Sequence, residues 1–174
     1  MKEERIEIPK PNGHECFACG TANPIGLNLH FYRRDGAICT DITLGKYYVG
    51  WQNMAHGGII STILDEVMSW TLIYHKRSFF VTRKMSLKFI KPVMVGVPLT
   101  AKGRLREEEN GRTVKIIAEL FDEEGKILAR STGEFVLLSK EKMALVPEDA
   151  KNEMTEIFAR LDSANSGRQV PSEG

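Results

Sequence analysis

One stretch limits the folds open to this chain more than any other: His56 to His75, HGGIISTILDEVMSWTLIYH. Gly57 and Gly58 stand where a helix would begin, leaving backbone N–H groups uncovered at the positive end of the macrodipole, a place suited to a negative oxygen. His75, Lys76 and Arg77 close the other end, where cations offset the negative pole. Ile60, Leu64, Val67 and Thr71 recur at helical spacing, flanked by Ile59, Ile63 and Trp70, so this face belongs to a core. A second stripe, Gly58, Thr62, Asp65 and Ser69, carries only small or polar side chains and permits another element to approach closely. Asp65 is the residue to explain. A carboxylate among isoleucines and leucines must be paired, solvated by a cleft, or used in chemistry. Glu66 points about 100° away and is the competing acid, with a structural role the simpler reading.

The chain has 174 residues, a formal net charge of +1 and 42% hydrophobic residues, enough for one domain with a buried core. Balanced charge supplies no basic excess, so no nucleic-acid partner is expected. No apolar run reaches membrane-spanning length, and MKEERIEIPK lacks a signal-peptide core, so a cytoplasmic protein with no membrane partner is expected. Three cysteines, an odd number, agree with reduced thiols better than with a disulfide framework.

Residues 1–23 read as an irregular segment, broken by Pro9, Pro11 and Gly13 ahead of HECFACG. Cys16 and Cys19 form a CxxC pair with His14 just before it. This is half of a zinc knuckle, with Cys39 and His30 the nearby candidates for a second half. No second pair follows at ribbon spacing. The favoured expectation is therefore no metal, with small, partly buried thiols packing the segment onto the domain, and zinc the alternative. A redox CxxC wants a helix start behind it, and Asn23-Pro24-Ile25-Gly26 makes a turn.

From Leu27 the period becomes two. Leu27, Leu29 and Phe31 share a face, Asp35-Gly36 makes a hairpin turn, and Ile38, Thr40, Ile42 and Leu44 alternate again. Before the helix, KYYVGWQNMA reads as a loop leaning over its start, with Tyr47, Tyr48 and Trp51 serving either as packing or as ligand walls. After the helix come four strand-like runs, Thr82 to Ile90, Leu99 to Glu107, Arg112 to Phe121 and Ile127 to Leu138, joined in part by Asn110-Gly111 and Glu124-Gly125 turns. The pattern predicts an α+β domain over residues 24–140, with a curled antiparallel sheet of about six strands around one long central helix. Residues 141–162 read as a C-terminal amphipathic helix with Pro147 at its start and Met154, Ile157, Phe158 and Leu161 on one side. Residues 163–174 read as a disordered tail.

HGGIISTILDE resembles the signature of hotdog-fold acyl-CoA thioesterases of the phenylacetate-pathway (PaaI-like) type, and CFACGTANPIGLNLHF resembles a segment found in a branch of that superfamily. The resemblance covers roughly Cys16 to Leu138 and implies the hotdog fold. It implies hydrolysis of an acyl-CoA thioester without a cofactor, in a homodimer or a dimer of dimers. An acid nine residues after the HGG histidine acts there as nucleophile or general base, which falls on Asp65. The N–H of the first glycine, here Gly57, holds the thioester oxygen. A Ser or Thr early on the strand after the helix positions water, and Thr82 matches. Related enzymes often carry Asn or Gln six residues before that histidine. Here the place is Gly50, with Gln52 or Asn53 as substitutes.

Helix geometry adds an independent constraint. His56 and Asp65, nine residues apart, are separated by about 13 Å along one helix, too far to serve a single carbonyl. Two copies must meet, with the glycine end of one helix opposite the aspartate of the other. His56 is either a thioester contact or a structural hydrogen-bonder. Gly58, Asn53 and Glu66 complete the expected substrate contacts, with Lys91 and Arg112 as phosphate contacts for coenzyme A. A non-catalytic acyl-CoA-binding hotdog protein is the rival. A hotdog hydratase is disfavoured because Trp70 occupies the place five residues beyond Asp65 where such an enzyme would need its histidine.

Overall fold

Period-two alternation becomes a seven-stranded antiparallel sheet in the computed structural model, which describes residues 4–166. The strands are β1 (Ile6–Ile8), β2 (Phe31–Arg34), β3 (Ala37–Thr43), β4 (Val49–Trp51), β5 (Met54–Ala55), β6 (Phe80–Phe89), β7 (Pro98–Glu109), β8 (Thr113–Phe121) and β9 (Ile127–Leu137). The large sheet runs β1-β2-β3-β7-β8-β9-β6, while β4 and β5 form a separate small hairpin. Two of the three predicted two-residue turns have the left-handed backbone at both positions, with φ of 51° and 69° at Asp35 and Gly36 and of 53° and 64° at Asn110 and Gly111, whereas at Glu124-Gly125 only the glycine does, with φ of 78°. Along β8, Val114, Ile116, Ala118 and Leu120 all point into the core.

The central helix, α1, spans Gly57–Lys76. The His56 side chain starts it by accepting the Gly58 N–H at Nδ1, 2.9 Å away, and Arg77 ends it in the left-handed region with its N–H on Ile73 O. Ile63, Leu64, Val67, Met68 and Leu72 are wholly enclosed against β3, β7, β8 and β9. Trp70 stacks on Phe31 at 4.8 Å. Truncating one such side chain, as in Leu64→Ala, costs about 2–5 kcal/mol. On β7, a Cβ at Gly103 would collide with Thr71 Oγ1 and lie 2.9 Å from Val67 O, so glycine there sets how tightly the sheet wraps the helix.

Several expectations are corrected. The segment 1–23 is not wholly irregular, since β1 pairs with β2 through Ile6↔Arg33 and Ile8↔Phe31. Leu27 and Leu29 face inward as read, but the strand ladder begins only at Phe31, because their N–H groups bond Phe17 O and Ala18 O of the cysteine loop. The expected loop over the helix start contains a 3₁₀ turn (Lys46–Tyr48) and the β4–β5 hairpin. Beyond the sheet lie a one-turn helix, α2 (Lys140–Met143), and α3 (Glu148–Ser166), which docks through Ile157 and Leu161 and through an edge-on contact of Phe158 with Phe79. Helix α3 therefore takes in residues 163–166 of the tail expected to be disordered. Residues 167–174 lie outside the described residues.

The sheet's two edges differ. β1 is three residues long, whereas β6 runs for ten with Val81 and Phe89 each about half exposed (52% and 53%). A long edge with unpaired backbone groups is a template for another strand, here one carrying both apolar residues and the cations Arg83, Lys84 and Lys88.

Candidate active site

At its N-terminus α1 opens onto a cleft of about 480 Å³ between the β4–β5 hairpin and the segment after β6. His56, Gly57 and Ile60 line one side, and Trp51, Phe89 and Lys91 the other. The Gly58 N–H is taken by His56, while the Gly57 N–H has no partner among the described residues. Ser61 and Thr62 turn their hydroxyls back to donate to Gly57 O and Gly58 O, at 2.8 and 2.9 Å. The Gly57 N–H is thus the donor left for a ligand oxygen, with the helix dipole behind it. Its lack of a side chain matters, since a Cβ would sit 3.2 Å from Phe89 Cζ.

Asp65 is half-buried two turns further along. Its Oδ1 accepts a hydrogen bond from Thr82 Oγ1 at 3.2 Å, so the structure joins the two residues that the sequence separates by a strand crossing. Burial pushes the Asp65 carboxyl up from its usual range, and the Thr82 bond pulls part of that back. A carboxylate so placed is a stronger base than one in open water. The eight residues from Gly57 to Asp65 make about 12 Å of helix, so donor and acid within one chain do not reach a common atom.

The remaining expected contacts divide. Lys91 lines the cleft beside Gly57, and His56 does so with its Nδ1 committed to the helix cap. Gly58 adjoins it, its N–H held by His56. Asn53 stands exposed at the β4–β5 turn and is not among the lining residues; its carbonyl accepts from Val95 N–H. Gly50 explains why no Asn or Gln occupies its place: a Cβ there would lie 2.9 Å from His56 Cα. Glu66 faces away from the cleft lining, accepting the Trp70 indole N–H at 3.1 Å and approaching the cysteines. Arg112 lies at the β7–β8 turn beside Leu137, whereas Lys91 bonds Leu128 O at the other end of β9, about 30 Å away, so one chain cannot bring both to one coenzyme. Phe89 and Ile90 are the cleft walls that sequence reasoning passed over as ordinary strand residues. Their signal was an apolar pair at the exposed end of a strand, just ahead of Lys91-Pro92.

Comparison with known proteins agrees with this architecture. Residues 52–129, which contain α1, strands β6 to β8 and the cleft lining apart from Gly50 and Trp51, match the thioesterase superfamily model. That match covers less than half of the chain; the chain has the hotdog fold, as the solved structures similar to it do. A crystal structure described as a thioesterase superfamily protein is similar over 70% of this chain and 60% of its own length, at 23% identity and a TM-score of 0.66. This chain therefore spans 60% of that relative's length. PaaI from the phenylacetic acid degradation operon of E. coli is 18% identical, with 65% and 81% covered and a TM-score of 0.59. A hypothetical thioesterase of Streptococcus pneumoniae, crystallised with coenzyme A, is 20% identical, with 64% and 90% covered and a TM-score of 0.58. No curated protein matches the chain. Among the described residues, no helix is long and apolar enough to cross a membrane.

Proposed function

We propose that the protein hydrolyses an acyl-CoA thioester in a site shared by two copies of the chain, using no cofactor in the chemical step. The observation that carries this reading is the split constellation on α1: a Gly57 donor in an apolar cleft, and an Asp65–Thr82 pair about 12 Å away on the helix side lined with small residues. Antiparallel pairing of β6 with its copy repairs the split. A two-fold axis through the middle of β6 carries the Thr82 end of one strand to the Phe89 end of the other. The Asp65–Thr82 pair of one chain then meets the Gly57 cleft of the other, and Arg112 approaches the second chain's Lys91, so that both can hold one coenzyme.

The chemistry follows from charge. The thioester carbonyl lies against the Gly57 N–H, where donor and helix dipole stabilise the oxyanion, an effect of about 3–4 kcal/mol per donor. Asp65 takes a proton from water held by Thr82 as that water's oxygen adds to the carbonyl, or attacks the carbonyl itself to form a mixed anhydride that water then hydrolyses; in either route the C–S bond breaks and the coenzyme thiolate takes up a proton to leave as the thiol. Trp51, Phe89 and Ile60 supply apolar walls against which the acyl group packs.

Thiol release from a panel of acyl-CoAs tests the reading, with a substitution suited to the site. Proline is tolerated at the first helical position and removes the N–H in question, and His56 already has the extended backbone (ψ 134°) that precedes proline comfortably. Gly57→Pro should lower kcat about 10²- to 10³-fold. Gly57→Ala, which adds the Cβ but keeps the donor, is its control. Equal acyl-CoA binding without turnover in native protein and the Asp65→Asn variant alike would leave the non-catalytic binder instead.

A further inference from the structure

The CxxC segment takes no part in the proposed reaction, yet its surroundings are built with care. Cys16 Sγ, Cys19 Sγ and a Glu66 carboxylate oxygen all lie within 4.8 Å of one another, although Glu66 is 47 residues further along the chain than Cys19. His14 Nε2 lies 3.5 Å from Cys19 Sγ, and its Nδ1 is buried without a partner. An N–S separation of about 3.5 Å is the edge of a tetrahedron whose ion sits roughly 2.0 Å from nitrogen and 2.3 Å from sulfur. We propose that Cys16, Cys19 and Glu66, which lie within 4.8 Å of one another, form with His14 closing from the Cys19 side as fourth donor a structural site for a zinc-type divalent cation that fastens the N-terminal segment to α1.

The supporting shell agrees with a metal loop. Cys16 Sγ receives hydrogen bonds from the Cys19 thiol and from the Cys19 and Ala18 N–H groups, which fix the sulfur's position at the tip of the loop. The turn closes through Gly20 N–H on Cys16 O at 2.8 Å, and a Cβ at Gly20 would collide with that oxygen and lie 2.6 Å from Cys16 N. Trp70 Nε1 orients the Glu66 carboxylate from behind, the usual task of a partner to a ligating side chain. Two thiolates, a carboxylate and a neutral imidazole leave one negative charge in excess around a divalent ion. Lys10 offsets it, with its ammonium bonding Cys19 O and Leu29 O, both at 2.7 Å. Mixed sulfur, nitrogen and carboxylate donors suit zinc rather than magnesium or calcium, which prefer oxygen alone. Cys39 takes no part, being buried with Tyr32 and Ala37 in a separate cluster.

The test is metal content and cobalt titration of the full-length protein purified without chelator. One zinc per chain is expected, together with a cobalt derivative showing tetrahedral d–d bands and thiolate charge transfer. Chelator competition should show affinity reduced roughly 10- to 100-fold in Glu66→Gln, and stoichiometric zinc lost in Cys16→Ser/Cys19→Ser. The cobalt spectrum of the native chain stands even if the double variant does not fold. A native chain that takes up neither metal, a Cys16–Cys19 disulfide forming in its place, or zinc retained by the double serine variant would overturn the proposal.

Discussion

Asp65 and Glu66 are neighbours on α1, yet the 100° between successive residues sends them to unlike surroundings. Asp65 lies on the helix side with small residues, half-buried, its one side-chain bond coming from a hydroxyl of the open edge strand β6. Glu66 is enclosed within its own chain, with an indole behind it and two thiols in front. Burial raises the pKa of both, that of Glu66 to about 7. A raised pKa on its own therefore does not separate a base from a ligand. The neighbours do: Asp65 looks toward the long edge strand β6, the surface proposed to pair with a second copy, Glu66 toward soft donors from a distant part of the chain.

The sharpest way to break this contrast is Asp65→Asn, expected to lower kcat by about 10²- to 10⁴-fold with the fold intact; Glu66→Gln should register in metal affinity far more than in turnover. Steady-state kinetics and chelator competition on the two variants decide it. Next comes the docking edge. Val81→Lys sets a cation opposite the second copy's Lys88 across a two-fold interface and should weaken self-association by about tenfold or more in sedimentation, with activity falling in parallel. A monomer with native turnover would refute the shared site. Complementation sharpens the same point: heterodimers of Asp65→Asn with Gly57→Pro contain one intact site of two, and since random exchange in an equal mixture makes about half the dimers heterodimers, about a quarter of the native activity should return on mixing two weak variants. Removing the hydroxyl in Thr82→Ala should cost roughly 10- to 100-fold in kcat/KM, as expected for a hydrogen bond to a charged group. Smallest is Lys91→Ala, a surface cation on a solvated phosphate, which should raise KM about two- to fivefold without changing kcat.

Much of the scaffold was legible because its signals are local. The turns at Asp35-Gly36 and Asn110-Gly111 need left-handed backbone that these pairs adopt cheaply, and alternation along β8 follows from the pleat. The limits of α1 were readable within a residue, since its cap and its basic end act over a single turn. Strand β1 was missed because Ile6-Glu7-Ile8 is too short for any period to show, and it is a strand only through its pairing with β2. The helical residues 163–166 were missed because a polar sequence carries no sign of the apolar stripe, Ile157 and Leu161, that anchors the turns before them.

Sequence by itself determined that a long helix opens on glycines, that Asp65 lies on its sparse side, and that strands with tight turns follow. Those facts depend on backbone preference and on spacing along one element. Tertiary structure alone decided that Thr82 reaches Asp65, that Phe89 walls the Gly57 cleft, that Arg112 and Lys91 lie at opposite ends of β9, and that Glu66 closes on the CxxC loop. Each joins residues far apart in the chain, and their distance is set by how closely the sheet wraps α1, which no local preference encodes.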